Sequence, residues 1–172
     1  GHKHFSTFDA NEAFQVKRVA GDAADLMIMG MIDNDQLEWA IENDVEFYVF
    51  EEERLNASID AARKIGKPAR IHIELETGMN RTGFEEGEWS KLAGVLKDNG
   101  PLLELKGLCT HYAGAESYAN FLRVNEQYDR FRKGQEFFTH QHIIPKQYHT
   151  ASSAAMIRLP HTRMDMVRIG IL

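Results

Sequence analysis

Residues Ile71–Phe84 read IHIELETGMNRTGF, and the reading of this stretch decides the fold. Its first half alternates: Ile71, Ile73 and Leu75 are apolar, while His72, Glu74 and Glu76 are polar. Successive side chains of a strand point to opposite faces. One face is therefore apolar and the other carries an imidazole and two carboxylates. Thr77-Gly78-Met79-Asn80 then turns the chain and delivers Arg81. A strand of a helix-covered parallel sheet is ordinarily apolar on both faces. Polar residues planted on one face of such a strand point to an active site.

Working outward, six further runs read as strands: 4–8, 26–29, 46–50, 105–111, 147–151 and 166–171, beside 69–75 itself. The segments between them carry helical punctuation. Asp9 with Glu12 and Asp33 with Gln36 have the spacing of capping boxes. Leu55, Ile59 and Ala62 recur at helical spacing, and Gly66 with Pro68 ends that helix. Trp89, Leu92 and Leu96 form another apolar stripe, stopped by Gly100-Pro101. The longest helix starts near Ser117 and carries Phe121, Val124, Tyr128 and Phe131 on one face. Each stripe reads as packing against a sheet.

Sustained strand–helix alternation gives a parallel sheet with right-handed crossovers. A doubly wound open sheet and a (β/α)8 TIM barrel both satisfy it. No GxGxxG follows the first strand, so the dinucleotide fingerprint is missing, and near-regular strand spacing favours the barrel. A barrel has eight strands and about 250 residues. This chain of 172 residues is short by one strand–helix unit and stops on its last strand. It reads as one partial barrel domain over residues 1–172.

The net charge of −6 argues against a nucleic-acid surface, which needs clustered Lys and Arg. No apolar run approaches the roughly 18 residues of a membrane span. A single cysteine, Cys109, cannot form an internal disulfide and suits a reducing cytoplasm. Inside an apolar run it reads as a packing residue.

Barrel function sits at the carboxyl ends of strands. There the chain places Glu74 and Arg81, then His111, then Ser152-Ser153, then Arg168 with Gly170-Ile171. Hydroxyls and N–H groups after the last two strands are where barrels commonly hold phosphate. On these grounds the site takes a phosphorylated small molecule, with arginines and a histidine around it. Each piece has a plainer reading. A strand-end histidine is more often a hydrogen-bonded structural residue, and Ser152-Ser153 could simply cap the next helix. Arg168 on an inward face must meet a carboxylate or a ligand, because an unpaired buried cation is costly. Glu74 and Arg81, seven apart across a glycine turn, are expected to pair. No H-x-x-x-H or C-x-x-C spacing supports a metal.

Four stretches resemble bacterial alanine racemases. Glu76-Thr-Gly-Met-Asn-Arg-Thr-Gly-Phe84 is similar to the family's [DE]-T-G-M-x-R-x-G-F motif. Gly107-Leu-Cys-Thr-His-Tyr-Ala113 is similar to G-x-x-[ST]-H-[FY]-A, and His149-Thr-Ala-Ser-Ser-Ala-Ala155 to a stretch containing A-N-S-A-A. Asp165-Met-Val-Arg-Ile-Gly-Ile171 resembles D-x-V-R-x-G-I. The matches fall in family order across nearly the whole chain. The resemblance implies a pyridoxal 5′-phosphate enzyme, an isomerase interconverting L- and D-alanine for cell-wall peptidoglycan, cytoplasmic and homodimeric. It places Arg168 at the pyridine nitrogen, with His111 bonded to Arg168. It assigns the phosphate to Ser153, Gly170 and Ile171, and sets Arg81 by the phenolic oxygen and the substrate carboxylate.

The chain also departs from the family. Many members carry a carbamylated lysine seven residues before the motif arginine; here that residue is Glu74, which presents a carboxylate without bound carbon dioxide. Ser152 stands where Asn is usual. The family's Schiff-base lysine lies on the first barrel strand in a K-A-[DN]-A-Y-G-H-G motif, which nothing here matches; Lys3 lacks that context. Its second catalytic base is a tyrosine on a C-terminal β domain. The chain thus reads as strands two to eight of the barrel, inactive by itself. A racemase for another amino acid and a non-catalytic pyridoxal-phosphate-binding barrel are the alternatives, the second disfavoured by TGMNRTGF.

Overall fold

The computed structural model describes residues 3–170. Six parallel strands alternate with helices: β1 (His4–Thr7), β2 (Asp25–Ile28), β3 (Glu46–Val49), β4 (Ala69–Glu74), β5 (Leu103–Cys109) and β6 (Gln147–His149). Helices α1 (Ala10–Ala20), α2 (Leu37–Glu42), α3 (Glu52–Ile65), α4 (Trp89–Asp98) and α5 (Phe121–His140) connect them, and α6 (Ser153–Arg158) follows β6. The strands lie in chain order, β1-β2-β3-β4-β5-β6. A doubly wound sheet reverses its order at a switch point; this one does not, as the winding of a barrel requires. The expected seventh strand is reduced, among the described residues, to a single parallel bridge between Ser152 and Arg168. Ile171 lies outside the described residues.

The chain divides into two compact units. The first comprises residues 1–72 and 98–106, the second residues 73–97 and 107–172. In the first, α1 begins at Asp9, whose carboxylate accepts the Glu12 N–H at 2.9 Å. A full capping box joins Asp33 and Gln36. Helix α3 stops at Gly66, whose φ of 73° is open to glycine at little cost. Ile28, Leu37, Phe47, Leu55 and Ile71 are buried and make up its apolar interior. On the polar side of these strands His72 is buried, with Glu46 and Lys106 half-buried beside it. Glu46 Oε2 meets His72 Nε2 at 2.8 Å and Glu46 Oε1 meets Lys106 Nζ at 3.0 Å, with Tyr48 stacked on the His72 ring. Burial pushes the Glu46 carboxyl up, but the His72 and Lys106 contacts outweigh it and leave the group below its ordinary value. His72 of the opening motif is therefore part of a structural charge cluster.

The second unit holds the carboxyl ends of β4, β5 and β6. Its core includes Tyr112, Ala115, Val124, Ala151, Ala155 and Leu159. Cys109, at the end of β5, is also buried. Gly134 sits mid-helix in α5, where a Cβ would stand 2.5 Å from Leu75 Cδ1 and 3.2 Å from the Trp89 ring. The missing side chain lets α5 lie close on the end of β4.

Candidate active site

The residues after β4 fold around a carboxylate. Glu76 accepts the backbone N–H groups of Gly78, Asn80 (2.8 Å) and Arg81 (3.3 Å). Gathering three donors onto one side chain forces positive φ at Gly78 (133°) and Asn80 (58°). The loop closes on itself where Phe84 N–H donates to the Glu74 carbonyl at 2.9 Å and Glu76 N–H to the Phe84 carbonyl at 3.1 Å. Thr77 and Thr110, both buried, tie this loop to β5. The Thr110 hydroxyl donates to the Leu75 carbonyl at 2.9 Å, so Thr77 is the donor in the 2.8 Å contact between the two hydroxyls.

This geometry corrects the expected Glu74–Arg81 pair. Arg81 is exposed, because its own N–H is drawn to Glu76 and the side chain leaves the loop outward. Thr82 turns inward instead and donates to Glu74 Oε2 at 2.9 Å. Among the described residues, Glu74 and Arg81 form no bonded ion pair. Arg81 still acts through space. Burial raises the Glu74 carboxyl above its ordinary value, and the Thr82 hydrogen bond and the charges of Arg81 and Arg168 only partly oppose that.

Arg168 is the most committed side chain of the site. The 165–168 segment runs beside β6: Asp165 N–H donates to the Tyr148 carbonyl at 3.0 Å, and Arg168 N–H to the Ala151 carbonyl at 3.0 Å. The guanidinium reaches back along the strand ends. Nη1 donates to His149 Nδ1 (2.6 Å) and the His149 carbonyl (2.9 Å). Nη2 donates to the carbonyls of Thr110 (2.8 Å) and Thr150 (3.1 Å). Each terminal nitrogen carries two hydrogens, so both are fully engaged, and among the described residues Nε–H is the donor left over. Among the described residues its protein partners are three carbonyl dipoles and an imidazole, and not the carboxylate that the sequence offered as one counterpart.

That imidazole is His149, not His111. Arg168 lies along the end of β6, and on the β5 side it meets the backbone of Thr110, one residue before His111. His149 Nδ1 faces a permanent cation and must accept, which puts the ring proton on Nε2. His149 is fully buried and opens the stretch His149–Ala155, but nothing local in the sequence separates it from His111. His111 stays close enough to feel both arginines. Burial, then the charges of Arg168 and Arg81, lower it to about 4 against a weak opposing pull from Glu116. It is neutral at physiological pH.

Ser153 is buried at the first turn of α6, and its Oγ accepts the Gly170 N–H at 3.0 Å. Ser152 holds the N-cap position without a side-chain cap bond. Glu74, Thr110, His149, Ser153 and Arg168 are thus brought together at the ends of β4, β5 and β6, with His111 beside them and Arg81 at the outer edge. Among the described residues, no group of three His, Cys, Asp or Glu side chains is placed to hold a metal, and no helix is long and apolar enough to cross a membrane.

Residues 1–172 match the family model described as alanine racemase, N-terminal domain. Alanine racemase 1 of Oceanobacillus iheyensis is 30% identical over 99% of this chain and 45% of its own length. The alanine racemase of Treponema denticola is 32% identical over 100% of this chain and 45% of its own. The solved alanine racemase of Streptomyces coelicolor superposes with a TM-score of 0.92 at 26% identity, over 99% of this chain and 46% of that one. The chain spans about 45% of the length of the curated relatives it matches.

Proposed function

The chain belongs to the family of the alanine racemase N-terminal domain, a partial (β/α)8 barrel, and from that premise we propose that it forms the cofactor-holding side of a pyridoxal-phosphate-dependent alanine racemase. The observation that carries the reading is Arg168. Four hydrogen bonds fix its guanidinium, and the Nε–H remains to donate.

The residues fit a phosphorylated pyridine. Ser153 Oγ accepts from Gly170 and keeps its own proton to donate. The space beside Gly170 is open, since a Cβ there would meet nothing within 4 Å. Ser153 and Gly170, with Ile171, would hold the phosphate, and Arg168 would donate to the ring nitrogen. When bound, pyridoxal phosphate supplies the electron sink that acidifies the substrate Cα–H. Arg168 cannot realistically surrender its proton, so a ring nitrogen that accepted from it would stay unprotonated and the sink would be mild. A mild sink suits proton exchange at Cα over transamination. His111, neutral, adds no positive charge beside Arg168 and Arg81. Arg81, exposed at the outer edge, would receive the substrate carboxylate. The proposal extends, with the family, to a cytoplasmic homodimer that supplies D-alanine to peptidoglycan.

The test joins this chain to the lysine-bearing first strand and the C-terminal domain of a related alanine racemase, and follows deuterium exchange from solvent into Cα of alanine with pyridoxal phosphate present. Exchange with racemisation is expected of that chimaera; no exchange above free cofactor would sink the reading. Replacing Arg168 by Glu is expected to protonate the ring nitrogen and raise transamination relative to racemisation. An unchanged product ratio contradicts the electronic role of Arg168.

A further inference from the structure

Helix α5 presents a polar stripe to the site that its apolar pattern conceals. Arg123, Gln127 and Arg130 are spaced by four and three residues, which places them on one helical face. Gln127 is 1% exposed. Its Oε1 accepts the Ala113 N–H at 3.0 Å, and its Nε2 donates to the Ala113 carbonyl at 3.3 Å and the Arg123 carbonyl at 3.2 Å. One amide thus grips both polar groups of the residue two positions after His111. One turn away, Arg130 Nη1 donates to the Thr77 carbonyl at 3.1 Å, and Arg123 Nη2 to the Gly78 carbonyl at 3.1 Å. The helix lies hard against that loop: a Cβ on Gly78 would stand 3.0 Å from Gln127 Cγ.

We propose that α5 is the positioning element of the site, with Gln127 setting the segment that carries His111 and Arg130 setting the loop that carries Arg81. A polar side chain buried this completely is retained where its bonds are all made. Apart from the Gln127 bond to the Arg123 carbonyl within α5, these bonds go to backbone that leads into the two site segments. The significance of His111 and Arg81 rests on the function proposed above; the clamp itself does not.

Amide hydrogen exchange by NMR, without cofactor, separates the two halves. Gln127→Met keeps the side chain's length and removes its polar groups. It is expected to speed Ala113 N–H exchange about fivefold or more, the equivalent of one lost hydrogen bond, while Asn80 and Arg81 keep their rates. The His111 ring midpoint should rise from about 4 toward the ordinary 6.5 as its segment loosens. Arg130→Met, at an exposed position, should speed Asn80 and Arg81 exchange and leave Ala113 unchanged. Uniform acceleration through β4 and β5, or no change at either segment, overturns the proposal. If Gln127→Met fails to fold, Arg130→Met decides alone by the same criterion. A chain that keeps this clamp but ignores pyridoxal phosphate would instead sink the assignment of the site.

Discussion

Glu74 and His111 carry the pH behaviour of the site, with opposite signs. Glu74 has a raised folded pKa, with burial as the main cause. Between its ordinary and its raised value the folded state binds more protons than the unfolded, so stability falls as pH rises through that window. Glu74→Gln is accordingly expected to stabilise the chain at pH 7 in thermal unfolding, by an amount that shrinks toward pH 4. A variant less stable at pH 7 than the parent would show the carboxylate to be a net stabiliser. His111 is depressed to about 4. Between 6.5 and 4 the unfolded state binds the extra proton, so its contribution is full above 6.5 and declines as pH falls through that window. Its ring resonances are expected to titrate near 4; a midpoint near 6.5 would mean the imidazole is not held beside the two arginines. Arg168 and Ser153 were legible in the sequence because strand-end position and motif agree on them. The partnership of Arg168 with His149 was not, because it depends on how 165–168 runs beside β6, a contact between segments that no local pattern encodes. The outward turn of Arg81 was hidden for a similar reason: Glu76 competes for the loop's N–H groups and wins.

At the scale of elements, six of seven strands and the stripes of α3 and α4 were readable from alternation and spacing, while on α5 Val124 and Phe131 are buried as expected and Phe121, at the first residue of the helix, is exposed. The seventh strand was overread because Val167 and Ile169 alternate with Arg168, but among the described residues only one bridge forms. The loop after β4 is the element under tightest constraint. Gly83 has φ 114°, and a Cβ there would stand 2.6 Å from Glu76 N and 2.7 Å from the Leu75 carbonyl carbon. Both neighbours are backbone, so neither can step aside. Gly83→Ala is expected to cost about 2–3 kcal/mol, the range of a strained backbone site, measured by urea unfolding. A cost below about 0.5 kcal/mol would mean the loop rearranges freely.

At the scale of the molecule, the proposed cofactor cradle is more complete than any arrangement for moving a proton. The residues gathered at the ends of β4, β5 and β6 include no lysine, and Lys3 precedes β1, at the amino end of its strand. The 172-residue chain with pyridoxal phosphate is therefore expected to exchange the Cα proton of alanine no faster than free cofactor, followed by proton NMR in deuterated water. Specific borohydride trapping on Lys3 together with exchange would contradict this. The central claim is that Arg168, Ser153 and Gly170 form a preset cradle for the phosphorylated ring, and its most direct test is a nitrogen-15 NMR titration of the chain with pyridoxal phosphate. Saturable shifts centred on the amides of Ser153 and Gly170 and on the Arg168 Nε–H are expected, weakened about tenfold by Ser153→Ala, the loss of one charge-assisted hydrogen bond. Shifts that never saturate, or that scatter over surface lysines and leave those three groups unmoved, would contradict it.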